Sequence, residues 1–222
     1  MRANGYPPRP VEEIPIRHRD VNWMEPGCRR QQLCDAGGRS RGAAAMQWKI
    51  HGERPIYENQ WVNLWLTDVE QPDGRRWEYH VVKLRHLAVA AVINERQEIL
   101  MMWRHRFITD SWAWELPMGL VEDGESPADA AAREVLEETG WRPGPVKPLI
   151  YAEPANGITD SQHHVFRADG ATYEGPPTEK NESDRIEWIP LADVRGMIDR
   201  REIVSSGSLV GLLYVLMDEA IR

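Results

Sequence analysis

The stretch between Gly119 and Trp141 constrains the fold of this chain most, because it combines the signals of one helix with an unusual set of carboxylates. Ser126 followed by Pro127 marks a helix start, since serine caps the first turn and proline is favoured at the first helical position. Gly140 marks the end, because glycine readily takes the left-handed conformation that closes a helix. The sequence therefore predicts a helix bounded by Ser126 and Gly140.

Three glutamates fall on one face of this predicted helix. Glu137 and Glu138 follow Glu134 by three and four residues, so at 3.6 residues per turn all three share a side. Like charges at this spacing repel, and a divalent cation such as Mg²⁺ would relieve the repulsion by binding their oxygens while leaving positions for water and phosphate. Arg133 precedes Glu137 by four residues, the spacing of an intrahelical ion pair that holds a carboxylate in place.

A solvated acidic helix face is the alternative explanation of these glutamates, and the wider spacing decides against it. The specified positions are Gly119, Glu125, Arg133, Glu134, Val135, Glu137, Glu138, Gly140 and Trp141. They resemble the Nudix box, Gly-x5-Glu-x7-Arg-Glu-U-x-Glu-Glu-x-Gly-U, in which U is a bulky aliphatic residue or tryptophan. The resemblance to Nudix hydrolases implies an α/β fold, an α/β/α sandwich with a mixed sheet. It also implies hydrolysis of a nucleoside diphosphate linked to another moiety, with Mg²⁺, or alternatively Mn²⁺, as cofactor.

The same resemblance assigns roles to residues of the box. The family's metal ligands correspond here to Glu134 and Glu138, with Glu137 nearby and the backbone carbonyl of Met118 completing the site. We count Glu137 and Arg133 among the catalytic residues as well.

A catalytic base is expected outside the box. In the pyrophosphatase branch of the family, this base is commonly a glutamate in a loop before the last strand. Glu182 occupies that position here, and Glu179 is the second candidate. A merely solvated acidic loop is the alternative, because such loops are polar in many proteins.

Residues before the box are similar to the ADP-ribose and nucleotide-sugar pyrophosphatases, in which an arginine after a strand and a Glu-Leu-Pro-x-Gly segment recur. Here these are Arg104 or Arg106 and the segment that begins at Glu115. We predict that all three residues bind substrate: the two arginines because a guanidinium fits a phosphate through paired hydrogen bonds, and Glu115 because the resemblance of its segment implies it. If the strand continues through both arginines they face the same side. If it ends between them, Arg106 is our preferred phosphate ligand.

Composition and patterning set the domain organisation. The net charge of -8 argues against an extended nucleic-acid surface, which needs a basic stripe. No apolar run is long enough for a membrane span and no secretory signal is visible, so we expect a cytoplasmic protein. Residues 1–45 hold eight arginines and little apolar periodicity, which predicts a disordered tail. Residues 46–86 predict a β-hairpin region, and residues 87–222 the Nudix domain. In the pyrophosphatase branch that the chain resembles, such a region commonly builds a dimer, so the resemblance implies a homodimer.

Strand and helix patterns fill that domain. Apolar runs predict two core strands, Leu87–Ile93 and one beginning at Glu98, and further strands within 146–153, 162–168 and 185–189. Two helices are expected within 191–198 and 208–221.

Three functions remain open from the sequence. The leading one is a Mg²⁺-dependent hydrolase that cleaves ADP-ribose or a related nucleoside diphosphate sugar into a nucleoside monophosphate and a sugar phosphate. The second is a housecleaning hydrolase of nucleoside triphosphates or coenzyme A, which the same box serves. The third is a non-catalytic ADP-ribose sensor, against which the intact Glu134, Glu137 and Glu138 count.

Overall fold

The computed structural model describes residues 46–221, so the tail predicted over residues 1–45 lies outside the described part of the chain. The chain divides into two compact units. One contains the residues up to Ile56 together with Trp65–His80, and the other contains Tyr57–Leu64 and the chain from Val81 onward.

The N-terminal region is a sheet of three strands in the order β1 (Lys49–Glu58), β2 (Asn63–Glu70) and β3 (Arg76–Lys83). The predicted hairpin is confirmed as β2 and β3, and Gly74 in the turn between them has a φ of 84°. Strand β1 was not predicted from the sequence, because Gly52 and Pro55 interrupt it. An edge strand tolerates both residues, since one side of its backbone makes no ladder hydrogen bonds.

The second unit holds the remaining strands and all the helices of the described chain. Its elements are β4 (Leu87–Ile93), β5 (Glu98–Arg106), β6 (Ser111–Glu115), β7 (Met118–Leu120), α1 (Pro127–Thr139), β8 (Trp141–Pro143), β9 (Lys147–Ala152), β10 (His163–Asp169), β11 (Ala171–Tyr173), β12 (Arg185–Pro190), α2 (Leu191–Asp199) and α3 (Ser206–Ile221). The predicted core strands and the two C-terminal helices are confirmed. The short strands β6, β7, β8 and β11 were not predicted, because three to five residues carry too little periodicity to recognise.

The main sheet is mixed, with the order β12-β5-β4-β10-β9, and β6 and β7 pair with β5 and β4. Strands β4 and β10 are parallel, whereas the other pairs are antiparallel. Every residue of β4 after Leu87 is buried, as expected of a strand covered on both faces.

The two faces of β4 pack against different helices. Ala88, Ala90 and Val92 join a cluster with Ala131 and Val135 of α1. The alternate residues of β4 join a larger cluster with α2 and α3, whose members include Val89, Ile93, Val194, Leu212 and Val215. Helices therefore cover both faces of a mixed sheet, which confirms the predicted α/β/α sandwich.

Helix α1 begins and ends where the sequence predicts. The Ser126 hydroxyl accepts a hydrogen bond from the Asp129 N–H at 3.1 Å, and Pro127 opens the helix. Gly140 takes the left-handed conformation, with a φ of 74°, and its N–H donates to the Leu136 carbonyl. These caps place the carboxylates of α1 at a defined point along the sheet.

The described residues include no helix that is both long and apolar enough to span a lipid bilayer.

Candidate active site

Two of the predicted metal ligands are buried on the sheet side of α1. The Glu138 residue is 1% exposed and Glu134 is 7% exposed. The Glu138 Oε2 accepts a hydrogen bond of 2.9 Å from the Met118 N–H at the start of β7. The backbone of Met118 therefore lies beside the carboxylates, and the coordination of a cation by its carbonyl stays a prediction.

Gly119 explains why the box begins with a glycine. A Cβ atom at this position would lie 1.9 Å from the Cδ atom of Glu134. The Glu134 carboxylate thus rests directly on the backbone of β7, and any side chain at Gly119 would displace it.

Arg133 organises the outer part of the box. Its Nη1 group donates to Glu134 at 2.7 Å and to Glu137 at 2.9 Å, so the predicted i,i+4 pair is present. Its Nε and Nη2 groups bind both oxygens of Glu125, and Nη2 also reaches the Leu120 carbonyl at 3.1 Å. These hydrogen bonds raise the pKa of Arg133 above its usual range, and those to Glu125 contribute most. No role was predicted for Glu125 from its position in the box, and the structure shows it as the principal partner of Arg133.

The loop between β11 and β12 brings a further carboxylate into the cluster. Oxygens of Glu134, Glu138 and Glu179 all lie within 4.8 Å of one another. Backbone hydrogen bonds from the Thr178 and Glu179 N–H groups to the Glu137 carbonyl, at 2.9 and 3.1 Å, hold the loop against the end of α1. Glu179, the second candidate for the base, is thus placed with the predicted metal ligands.

Glu182, the preferred base, lies in the same loop and forms an ion pair with Arg104. Arg104 also donates to Glu138 at 2.6 Å and is only 5% exposed. This arginine therefore connects the helix carboxylate with the loop carboxylate. Because Arg104 is buried and bound on two sides, little of its guanidinium faces solvent.

Arg106 lies in the same strand as Arg104, so β5 continues through both arginines and they share one face. The Arg106 side chain is 46% exposed, and it forms a two-pronged ion pair with Glu115. The three residues predicted to bind substrate, Arg104, Arg106 and Glu115, therefore lie on the adjacent strands β5 and β6, and Arg104 contacts the carboxylate cluster through Glu138. Their contact with a substrate stays a prediction.

The electrostatics of the cluster favour a cation. Burial raises the pKa of the Glu138 carboxyl to about 7, although Arg104 and the Met118 N–H act in the opposite direction. Burial also raises the pKa of Glu134, where Arg133 acts in the opposite direction. Three carboxylates so close together, two of them poorly solvated, form an oxygen donor set that suits Mg²⁺ or Mn²⁺. The residues present therefore fit a divalent metal ion.

The chain is similar to known proteins. The NUDIX domain profile matches residues 84–206. The chain is 45% identical over 171 residues to the CMP-5'-(N-acetyl-N-hydroxy-3-aminopropyl)phosphonate hydrolase of Streptomyces rubellomurinus, a match that covers 77% of this chain and 83% of that one. It is 31% identical over 152 residues to the ADP-ribose pyrophosphatase of Mycobacterium tuberculosis, covering 66% of this chain and 72% of that one.

A solved structure confirms the fold independently. The crystal structure of an ADP compounds hydrolase superposes with a TM-score of 0.68 at 18% identity, covering 77% of this chain and 93% of that chain. The domain match, the relatives and the geometry of the box agree that this chain belongs to the Nudix hydrolase family, with its similarity extending to the ADP-ribose pyrophosphatase branch.

Proposed function

We propose that the protein hydrolyses the diphosphate of ADP-ribose, or of a related nucleoside diphosphate sugar, to a nucleoside monophosphate and a sugar phosphate in the presence of Mg²⁺ or Mn²⁺. The observation that carries this proposal is the group formed by Glu134, Glu138 and Glu179 within 4.8 Å, with the buried Arg104 bound to one of its members. Similarity to an ADP-ribose pyrophosphatase supports the choice of substrate.

The carboxylates would hold the metal ion. Glu134, Glu138 and Glu179 supply the inner oxygens, and Glu137 and the Met118 carbonyl are further candidate ligands. Bound Mg²⁺ supplies charge neutralisation on the diphosphate and a more acidic water nucleophile. Arg133 keeps Glu134 in orientation through its 2.7 Å hydrogen bond and ties Glu137 to the same guanidinium.

Glu182 is proposed as the base that accepts the proton of the attacking water. If Glu179 serves as a metal ligand, Glu182 is the remaining candidate glutamate of this loop for the role of base, which supports this choice. Its ion pair with Arg104, which also donates to Glu138, connects Glu182 to the carboxylate cluster. Glu182→Gln should therefore lower kcat more than it weakens metal binding, whereas Glu179→Gln should weaken metal binding.

A second candidate substrate follows from the relative with 45% identity, whose name specifies a CMP-linked phosphonate. Such a compound also presents a nucleoside monophosphate joined through an anhydride to a second phosphorus acid group. A metal ion held by the same carboxylates, together with Arg106, would bind oxygens of both phosphorus groups, so the chemistry of the site suits either substrate. The nucleobase and the group beyond the second phosphorus would decide between them.

We also propose that the protein forms a homodimer through its N-terminal sheet. Large apolar side chains on β1 and β3 are exposed, among them Ile50, Ile56, Trp77 and Tyr79. Exposed apolar groups clustered on one sheet are typical of protein interfaces. Light scattering coupled to gel filtration would give the mass of a dimer, and replacement of Ile50 and Ile56 by lysine should give the mass of a monomer.

Product analysis tests the function. The protein and a Glu138→Gln variant would be incubated with Mg²⁺ and ADP-ribose, nucleotide sugars, the CMP-linked phosphonate, coenzyme A or nucleoside triphosphates. AMP and ribose 5-phosphate formed by the unmodified protein alone would support the leading proposal, and CMP with the free phosphonate the second. Cleavage restricted to triphosphates or coenzyme A would contradict both.

A further inference from the structure

The pair formed by Arg106 and Glu115 stands out among the ion pairs of the site. Glu115 is 3% exposed, and both of its carboxylate oxygens accept hydrogen bonds from Arg106, one from Nε at 2.9 Å and one from Nη2. The side chain of Arg106 is 46% exposed. One partner is therefore enclosed in the protein while the other reaches the solvent.

The strand register shows how far this pair extends along the sheet. Arg106 is paired with Ser111 across β5 and β6, whereas Glu115 is paired with Met102. Four residues of a strand span roughly 13 Å, so the two partners are not opposite each other. The Arg106 side chain must fold back along β5 to reach Glu115. Ala113 lies between them on this face of β6.

This direction leads toward the carboxylate cluster. Glu115 ends β6 only three residues before Met118, whose N–H donates to Glu138. The hydrogen bonds to Glu115 are the main cause that raises the pKa of Arg106, and the negative charge of Glu138 adds to it. Arg106 therefore lies within electrostatic reach of the proposed metal ligands.

The chemistry of Glu115 argues against its own contact with a diphosphate. A bare carboxylate repels phosphate oxygens, and here both carboxylate oxygens are already used by one guanidinium. Within the described residues, the Nη1 group of Arg106 makes no hydrogen bond, so it retains two N–H donors suited to a phosphate oxygen. Nε and Nη2 face Glu115, and Nη1 is the part of the guanidinium that can bind an anion.

We propose that Glu115 is a positioning residue, which acts through Arg106 by holding its Nη1 group toward the diphosphate of the substrate. This inference rests on the proposed function, because it takes a diphosphate to be the bound group. It assigns Glu115 a role without substrate contact and makes Arg106 the residue that meets the phosphate.

A double-mutant cycle on binding tests the inference separately from catalysis. The probe is imidodiphosphate, a diphosphate analogue whose bridging nitrogen resists hydrolysis, titrated by calorimetry in Mg²⁺. Arg106→Gln should weaken binding by about 10-fold to 100-fold, the usual range for loss of a charged hydrogen bond. Glu115→Gln should weaken it by about 10-fold, because the guanidinium loses its two-pronged anchor.

The sign of the effect in the second background is decisive. With Arg106→Gln already present, Glu115→Gln should leave binding unchanged or tighten it, since the carboxylate then only repels the anion. Further weakening in that background would overturn the inference, because Glu115 would then act independently of Arg106. Equal binding by the unmodified protein and Glu115→Gln, or no binding by the unmodified protein, would overturn it too.

Controls separate this role from a loss of folding. Glu202→Gln removes a carboxylate that binds Arg200 in the same two-pronged way, at 2.8 and 3.0 Å, but outside the site, and it should not change binding. Thermal unfolding would verify that each variant is folded. If Glu115→Gln does not fold, Glu115→Asp would replace it in the cycle. If the unmodified protein cleaves no substrate of the panel, the proposed function fails, while the binding cycle still gives its own answer.

Discussion

Ion pairs of the N-terminal sheet and of the active site use the same residue types in very different surroundings. In the sheet, Arg54 and Glu78 form a pair at 2.8 Å with both side chains about half exposed, at 50% and 53%. In the site, Arg104 and Glu138 form a pair at 2.6 Å with side chains 5% and 2% exposed. Water screens the first pair, so it contributes little to stability, whereas removal of one partner from the second leaves a buried charge that has lost a counter-charge and cannot replace it with solvent.

Burial changes the pKa of the carboxylates in the site in the direction opposite to that of the exposed pairs. Exposed pairs can be exchanged at little cost, and they leave the pKa of a carboxylate low. The carboxyl of Glu70 in β2, for example, has a lowered pKa because of its hydrogen bonds to Lys49 and His51. Burial of Glu138 and Glu134 instead raises the pKa of each, because it disfavours the charged carboxylate, and a bound cation would stabilise that charge. Metal affinity would come from carboxylates that the fold keeps poorly solvated.

Replacement of Glu138, a member of the buried pair, should have the largest effect. Glu138→Gln removes a proposed metal ligand and one partner of Arg104, so kcat should fall by about 10³-fold, equivalent to several kcal/mol of lost charge stabilisation. Steady-state rates with a cleaved substrate, together with Mn²⁺ binding by calorimetry, would measure both effects. Retention of full activity and metal affinity would contradict the assignment of Glu138.

The pH dependence of the free energy of unfolding should show the second largest effect. The pKa of Glu138 is raised to about 7 in the metal-free protein, so the folded state binds a proton more tightly than the unfolded chain. Its protonation favours folding fully below the ordinary glutamate pKa of about 4.5, and that stabilisation is lost as pH rises toward 7. The loss attributable to Glu138 is about 3 kcal/mol.

Urea unfolding of the metal-free protein between pH 4.5 and 8 measures this slope. Glu138→Gln should flatten it, and Glu70→Gln, in the exposed pair of the sheet, should not. Saturating Mg²⁺ should flatten it as well, because the bound cation favours the charged carboxylate at every pH in this range. A slope that is identical with and without Glu138 would assign the pH dependence to other groups.

Gly119→Ala should separate activity from stability. The new methyl group would meet the Glu134 carboxylate within 1.9 Å, and a flexible side chain can move away at low cost to folding. The displaced ligand should lower kcat/KM by about 10²-fold, as misplacement by an ångström often does. Rate measurements would be paired with thermal unfolding, and Gly157→Ala is the control, since nothing lies within 4 Å of a Cβ there. Equal activity of both variants would show that Glu134 needs no fixed position.

The exposed pair of the sheet should give the smallest effect. Glu78→Gln should change the free energy of unfolding by less than about 0.5 kcal/mol, because water and salt already screen its pair with Arg54. Urea unfolding at low and high salt would test this. A loss as large as that expected from a buried pair would show that the sheet relies on this contact.

Local patterns predicted helix α1 well. Ser126, Pro127 and Gly140 act through neighbours within four residues, so their effect on the chain is readable without the rest of the molecule. Strand β4 was equally clear, because a continuous apolar run suits a strand covered on both faces. Strand β1 was missed, since its interruption by Gly52 and Pro55 is acceptable only at the edge position that the sheet assigns to it.

Contacts between distant parts of the chain were beyond sequence patterns. The spacing of the box determined which carboxylates share a face of α1, because helical periodicity fixes the direction of each side chain. The partners of Arg104 are 34 and 78 residues away, and only the strand register and the loop that binds the Glu137 carbonyl bring them together. In the same way, the tertiary structure brought Glu179 to the proposed metal ligands and Arg106 to Glu115, since such pairs depend on where whole elements pack and not on the residues beside them.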